Sequence, residues 1–311
     1  MDTNTTKPSI VVIMSTYNGE KYLREQLDSI LNQKDVNLDL YVRDDGSVDG
    51  TAEILNQYSK RYPQVHVDLA ANAGVGNSFM NCLYSVPGEY QYYGFADQDD
   101  IWLQDKCIAG ISALKRTGKA LYSSNQECVD SDGKSRGLRY TGNDHIHLTT
   151  TEIVFRNTIA GCTFIFTSDL AEKLRSNPFS PELLRVRIHD VCVAAAASMN
   201  GGIFYDQGSH MEYRQHQDNV VGVKEDTIKS DLKTKLSKAV NSEQRNGRSR
   251  LASELVKLYP EQAQNDQLLM LCADQKSMVN RIKLIRRYGE ISGWTSETFS
   301  GFAGKVLFGL F

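Results

Sequence analysis

Short apolar runs alternate with amphipathic stretches through the first 125 residues of the chain. Residues 10–14 are an unbroken apolar run with polar flanks, the mark of a buried strand. Residues 20–32 then place Leu23, Leu27, Ile30 and Leu31 at helical spacing. The pattern predicts further strands at 38–42, 65–69 and 92–95, separated by helices at 51–58 and 76–85. Ile54, Leu55 and Tyr58 fall on one face of the first of these helices. Repeated β-α-β units imply an α/β fold whose mostly parallel sheet is covered by helices on both faces. In such sheets ligands bind at the carboxyl ends of the strands. Ser15-Thr16-Tyr17-Asn18-Gly19, Asp44-Asp45-Gly46-Ser47 and Asp97-Gln98-Asp99-Asp100 each follow one of those strands. All three are therefore expected along one edge.

From 126 to 156 the pattern loosens, with Asp130-Ser131-Asp132-Gly133 reading as a turn. Order returns with a strand over 163–167 and a small-residue helix over 190–199, and Tyr213-Arg214-Gln215-His216 sits at the end of another strand. After Gly222 the composition shifts: residues 224–250 hold eight Lys or Arg against four Asp or Glu. This reads as a mobile or surface segment that leads into C-terminal helices.

Composition narrows the class. With 311 residues, 41% hydrophobic and 23% charged, the chain fits one large α/β domain with an extension, or two domains. A net charge of −3 carries no nucleic-acid signature. The six cysteines are scattered without zinc spacing, which suggests reduced thiols in a cytoplasmic compartment. The apolar run at 10–14 is too short for a signal peptide, and no stretch approaches the ~20 apolar residues of a spanning helix.

The acidic motifs carry the chemistry. Three carboxylates within Asp97-Gln98-Asp99-Asp100 repel one another at the end of a buried strand and call for a compensating cation. A hard ion such as Mg²⁺ or Mn²⁺ takes one or two carboxylates and completes its shell with substrate phosphate oxygens. A solvated acidic loop is the plain alternative. Asp44-Asp45-Gly46-Ser47 suits hydrogen bonding to a nucleobase or ribose, or equally an Asx turn opening a helix. Its match to a calcium loop fails because Asn56 stands where the bidentate Glu belongs. Asp190 after His189 reads alone as a helix N-cap. Arg214 and His216 offer a cation and an imidazole suited to a diphosphate and a metal, or a strand with surface charges.

Together these pieces resemble a family 2 glycosyltransferase of the GT-A fold. The resemblance rests on Val11-Val12-Ile13-Met14-Ser15-Thr16-Tyr17-Asn18-Gly19, Arg43-Asp44-Asp45-Gly46-Ser47-Val48-Asp49-Gly50-Thr51, Asn72-Ala73-Gly74 and Phe95-Ala96-Asp97-Gln98-Asp99-Asp100-Ile101-Trp102. Asn157-Thr158-Ile159-Ala160-Gly161-Cys162-Thr163, His189-Asp190 and the segment 213–220 extend it through residue 222. These later pieces are similar to bacterial rhamnosyltransferases of cell-surface polysaccharide assembly. Processive synthases carry a Gln-x-x-Arg-Trp motif and several membrane spans, and neither occurs here.

The resemblance implies a GT-A domain over 1–222, with a nucleotide-sugar half (1–105) and an acceptor half (106–222), followed by a basic, helical extension over 223–311. It also implies roles. Asp44 would contact the nucleobase, Ser15, Thr16, Tyr17 and Asn18 would line the nucleotide pocket, and Asp45 and Asn72 would join them. Asp97 would approach the ribose or sugar, Asp99 and His216 would hold a divalent Mg²⁺ or Mn²⁺, Arg214 would face the diphosphate, and Asp190 would be the base. Asp45 and Asp100 read equally as structural residues.

The implied reaction is inverting transfer from a nucleoside-diphosphate sugar, dTDP-rhamnose before a UDP-hexose, to a glycan or lipid-linked acceptor. A nucleotidyltransferase would need a Gly-rich basic loop after the first strand, and a non-catalytic sugar-nucleotide binder would have lost Asp99 or Asp190. Arg281, Lys283, Arg286 and Arg287 precede an apolar tail, Phe299 to Phe311. That tail suits the cytoplasmic leaflet of the membrane, or packing on the domain or in a homodimer.

Overall fold

The computed structural model describes residues 6–216 and 246–311. A single sheet carries the fold. Its first four strands are β1 (Ser9–Thr16), β2 (Asn37–Asp44), β3 (Val65–Leu69) and β4 (Tyr92–Ala96). They lie in the order β3-β2-β1-β4, all parallel. The helices α1 (Leu23–Leu31), α2 (Thr51–Arg61) and α3 (Val75–Ser85) make the crossovers.

The second half adds β5 (Ile101–Trp102), α4 (Lys106–Thr117), β6 (Leu121–Val129), β7 (Ser135–Leu138), α5 (Thr150–Phe155), β8 (Ile165–Thr167), α6 (Ser168–Ser176), α7 (Pro181–Val186), α8 (His189–Met199) and β9 (Ile203–Arg214). The sheet continues as β4-β8-β6-β9-β5, with β8 antiparallel to both neighbours and β6 parallel to β9. The expected mostly parallel, helix-flanked α/β sheet with a helical C-terminal region is what the chain forms.

Alternation along β1 explains the two-sided core. Ile10, Val12 and Met14 point to one face, where they meet Leu23 and Leu27 of α1 and Leu55 of α2. Val11 and Ile13 point to the other, with Phe79 of α3 and Val193 of α8. Both faces are dry, so the strand reads as a continuous apolar run.

The C-terminal helices join that second core. Leu251, Ala252 and Leu255 of helix Gly247–Leu258, and Phe302 and Val306 of helix Phe299–Leu307, pack in the same cluster as Ile153 and Val154. The expected domain limit at 222, residues 217–220 of the matched segment and residues 224–245 of the basic segment lie outside the described residues.

Several elements differ from the pattern-based reading. Helix α1 begins at Leu23 because Gly19 O accepts the Tyr22 and Leu23 amides, making a turn of the preceding residues. Residues 161–163 form a 3₁₀ turn rather than strand, and β8 starts only at Ile165. In the loosened region, β6 runs to Val129 and hairpins into β7 around the Asp130–Gly133 turn. These polar residues make a strand through inter-strand bonds to β9, a pairing invisible to local periodicity.

Candidate active site

Register brings the loops together. Thr16 at the end of β1 lies beside Asp44 at the end of β2, and Met14 pairs with Ala96 of β4. On the far side β5 runs antiparallel to β9, Trp102 opposite Met211. The end of β9, Arg214 to His216, therefore returns to Asp99 and Asp100.

The loops after β1 and β2 are cross-linked to each other. Thr16 Oγ1 donates to Asp44 Oδ1 at 2.8 Å, and Ser47 donates to Asp44 through its amide at 2.9 Å and its hydroxyl at 2.5 Å. Asn18, at φ +50°, receives its bond from Val48 N–H on Oδ1 and donates its own N–H to Ser47 Oγ. Gly46 holds φ +83°, a turn that a side chain would strain. Tyr17 is half exposed, and its backbone is clamped to the Gln98 side chain by bonds of 2.8 and 3.1 Å. Ser15 Oγ donates to Ser78 Oγ of α3 at 2.7 Å, turned toward the helix rather than the cleft.

Asp45, expected either at the nucleotide or as a structural residue, has protein partners on both oxygens. It is buried against Arg43, its Oδ1 2.5 Å from Nη1, and it accepts the Ala73 and Gly74 amides at 2.8 and 2.9 Å. Those are orphan donors at the start of α3, so Asp45 fastens that helix to β2. Asn72 belongs to the same tie, donating from Nδ2 to Asp45 O at 2.9 Å, although its side chain is exposed.

Around the acidic loop, Asp99 Oδ2 sits 2.8 Å from His216 Nε2, both side chains largely shielded. Burial first, and then the charges of Asp99 and Asp190, push Asp97 up to about 7. Asp100 is raised well above the carboxylate range, again by burial first and then by Asp99 and Asp97. Its Oδ1 accepts the Arg214 amide, while the buried Oδ2 has no hydrogen-bond partner among the described residues. One oxygen each from Asp97 and Asp100 and the Cys162 sulfur lie within 4.8 Å of one another. Burial keeps Cys162 a protonated thiol, which leaves oxygen and imidazole as the useful donors. Crowded, under-compensated carboxylates with an adjacent imidazole fit a hard divalent cation, with Asp99 and His216 at the open side.

Arg214 is engaged by several protein groups. The guanidinium is 4% exposed and is held by Glu25 at 2.6 Å, Asp99 O and Ser131 O at 3.2 Å, and the face of Tyr22. Arg214 thus orients the backbone of the acidic loop, and a diphosphate contact would have to compete with these bonds.

Asp190 is held at the start of α8 with its Oδ1 accepting the Val191 amide and its Oδ2 3.4 Å from Asn157 Nδ2. Burial raises its pKa to about 6. His189 is buried and stacked on Phe79 at 3.9 Å, and burial pushes it down to about 3, so it is a neutral wall. Gly161 lies against both: a Cβ there would be 2.8 Å from His189 Nε2 and 3.0 Å from Asp190 Cβ.

Three residues escaped the motif reading. Asn157 touches Asp190 and Cys162 reaches the acidic cluster, yet only the matching stretch around them was visible in sequence. Lys106 is fully buried behind the cluster, its ammonium over Trp102 at 4.7 Å and beside Met211 Sδ at 3.5 Å. Its signal was a lysine on the same helical face as Gly110 and Ala113. A cavity of about 620 Å³ between α7 and the C-terminal helices is lined by none of these residues.

Residues 11–173 match the family model for glycosyl transferase family 2. The dTDP-rhamnosyl transferase RfbG of Shigella flexneri is 30% identical over 219 residues, covering 67% of this chain and 73% of that protein. Among solved structures, S. aureus TarS 1–349 in complex with UDP aligns with TM-score 0.56 at 15% identity, over 96% of this chain and 89% of that one. The mannosyltransferase PcManGT of Pyrobaculum calidifontis, with GDP-Man and Mn²⁺, aligns with TM-score 0.50 at 16% identity, over 96% and 79%. With the family model spanning more than half its length and a relative of this extent, the chain belongs to glycosyltransferase family 2 and is a glycosyltransferase.

Proposed function

We propose that the protein transfers L-rhamnose from dTDP-L-rhamnose, with inversion, to a glycan or lipid-linked acceptor in bacterial surface polysaccharide synthesis. The observation that carries this reading is the facing pair of carboxylate groups: the Asp97/Asp99 cluster, and Asp190 with its raised pKa. The likeness to RfbG supports the rhamnosyl donor.

The loops after β1 and β2 form the nucleotide side of the cleft. Thr16 and Ser47 hold the buried Asp44 carboxylate in place where the loops after β1 and β2 meet, with Tyr17 as an exposed aromatic face in the neighbouring loop. Asp97 lies toward the sugar. Asp99 and His216 would hold the divalent cation, which when bound neutralises charge developing on the departing diphosphate.

Asp190, oriented by Asn157 and Val191 N–H, accepts the proton of the acceptor hydroxyl as its oxygen bonds to C1. The C1–O bond to the nucleoside diphosphate breaks on the opposite face, and the anomeric configuration inverts. A pKa near 6 suits this work, since the base is ionised at neutral pH yet basic enough to take a proton.

Initial rates of nucleoside diphosphate release with Mn²⁺ or Mg²⁺ test the donor. Turnover should be fastest with dTDP-rhamnose, and a response confined to UDP-hexoses overturns the rhamnosyl assignment. The bound UDP of the TarS structure is what favours that second donor.

The C-terminal helices support a peripheral membrane contact. Among the described residues no helix is long and apolar enough to cross a membrane. Phe302, Val306 and Phe311 are buried in the core, but Val279, Ile282, Phe299 and Phe308 are exposed, Phe308 at 80%. Arg281 ties the two helices by a 2.9 Å bond to Leu307 O, and Lys283 and Arg286 belong to the same region. Exposed apolar groups beside cations suit an anionic lipid surface. Val279→Ser with Phe308→Ser should reduce flotation with anionic liposomes, and unchanged flotation counts against it.

A further inference from the structure

A second cluster of ligating groups lies apart from the acidic loop, on the segment that leads into α5. His145, His147 and Glu152 each present one ligand atom, and these atoms all lie within 4.8 Å of one another. The His145 Nε2 to Glu152 Oε1 distance is 3.1 Å, and the two imidazole rings meet edge to face at 4.8 Å between centroids. Tetrahedral zinc with ligands at ~2.0–2.2 Å places neighbouring ligand atoms a little over 3 Å apart. The His145–Glu152 edge already has that span.

The surroundings leave these groups ready to bind. Glu152 completes a capping box in which Oε2 accepts the Thr149 amide and hydroxyl and the Leu148 amide. Oε1 is left toward His145. His147 is 2% exposed, and its Nδ1 is buried with no hydrogen-bond partner among the described residues. A buried imidazole nitrogen without a partner is a cost to the fold, which a cation bound at that atom would remove. Burial first, and then the charges of His145 and Arg156 against the opposing pull of Glu152, hold His147 below the usual imidazole range. The charge of Arg156 opposes binding here, and the Glu152 carboxylate offsets it.

From this geometry we propose that His145, His147 and Glu152 form a site for a zinc-class divalent cation, distinct from the hard-cation site at Asp99 and His216. Two imidazoles and a carboxylate suit borderline zinc better than Mg²⁺, and the exposed side at His145 leaves a fourth position for water.

The site is linked to the reaction through short covalent and hydrogen-bonded paths. The His147 amide donates to Thr158 Oγ1 at 2.8 Å, and Asn157, next in sequence, reaches Asp190. Bound zinc would clamp the loop before α5 to the first turn of that helix. It would thereby steady the wall that carries Asn157.

The test uses the full chain after chelator treatment and dialysis, titrated calorimetrically with Zn²⁺ alone. An Asp99→Asn variant serves in parallel to remove the competing acidic site. One saturable equivalent should persist in Asp99→Asn and weaken by about tenfold or more in Asp99→Asn with His145→Ala. His145 is exposed, so that change leaves the fold intact.

Zinc should also raise the Tm of the Asp99→Asn chain, and His145→Ala should abolish the rise. Co²⁺ in place of Zn²⁺ should give visible bands of tetrahedral intensity that His147→Gln removes. Absence of saturable binding, or binding and a Tm rise indifferent to His145→Ala, overturns the proposal and leaves an ordinary ion pair with a capping box.

Discussion

Replacing Asp190 by Asn removes the proposed base while keeping its size and its hydrogen bond from Val191 N–H. The loss expected for a general base is about 10²–10⁴-fold in kcat/KM. The pH profile of the wild type gives a second magnitude. Burial lifts Asp190 from 3.8 to about 6, so the competent, ionised form is present above that value. One pH unit below it, about a tenth of the molecules carry the base, and the rate should fall about tenfold per unit further down. Asp190→Asn should flatten this limb.

Stability separates catalysis from misfolding. The folded pKa of Asp190 is raised, so between 3.8 and about 6 the native state binds more protons than the unfolded chain. Its contribution to stability is therefore lost as pH rises through that window. The neutral Asn escapes this cost and should be at least as stable as wild type at pH ~8, by an amount below the ~3 kcal/mol that the full shift represents. The half-buried side chain keeps some solvent, which lowers the gain further. The assays are initial rates of nucleoside diphosphate release across pH, urea unfolding, and calorimetric nucleotide binding, which should persist. A variant that keeps turnover within about tenfold of wild type, with the acid limb in place, refutes the assignment.

Other outcomes follow from the same geometry. Gly161→Ala places a methyl 2.8 Å from His189 Nε2, and should cost about 1–3 kcal/mol in stability and lower kcat while sparing nucleotide affinity. Normal kcat in that variant would separate the Gly161 wall from the base. Arg214→Ala should destabilise the ligand-free, chelator-treated protein by about 1–3 kcal/mol in urea unfolding, because several bonds to Glu25, Asp99 O and Ser131 O are lost. If it weakens nucleotide binding without touching stability, Arg214 serves the diphosphate as the motif first suggested. EDTA should suppress turnover, with Mn²⁺ or Mg²⁺ restoring it, and full activity in chelator would count against a role for Asp99 and His216 in holding a cation.

The alternation of apolar and polar positions was enough to read β1 to β4 and their crossover helices. A parallel sheet buried on both faces leaves unbroken apolar runs, and that signal is local. The acidic edge was legible for the same reason: loops after parallel strands must emerge at one end. What the sequence could not say is which of the polar residues there face a ligand. Asp45 and Asp44 are neighbours in sequence with the same side chain, yet Asp45 is tied to Arg43 and the start of α3 while Asp44 ties the loops after β1 and β2 through Thr16 and Ser47.

Arg214 and His216, two residues apart, also part company: one orients the acidic loop and the other meets Asp99. The strands β6 and β9 and the buried Lys106 likewise depend on partners about 40 to 105 residues away in the chain. Chemistry of type and order was written in the chain itself. Direction and occupancy of each polar group came only with tertiary packing, because a hydrogen bond is decided by which donors arrive within about 3 Å, and long-range register alone brings them there.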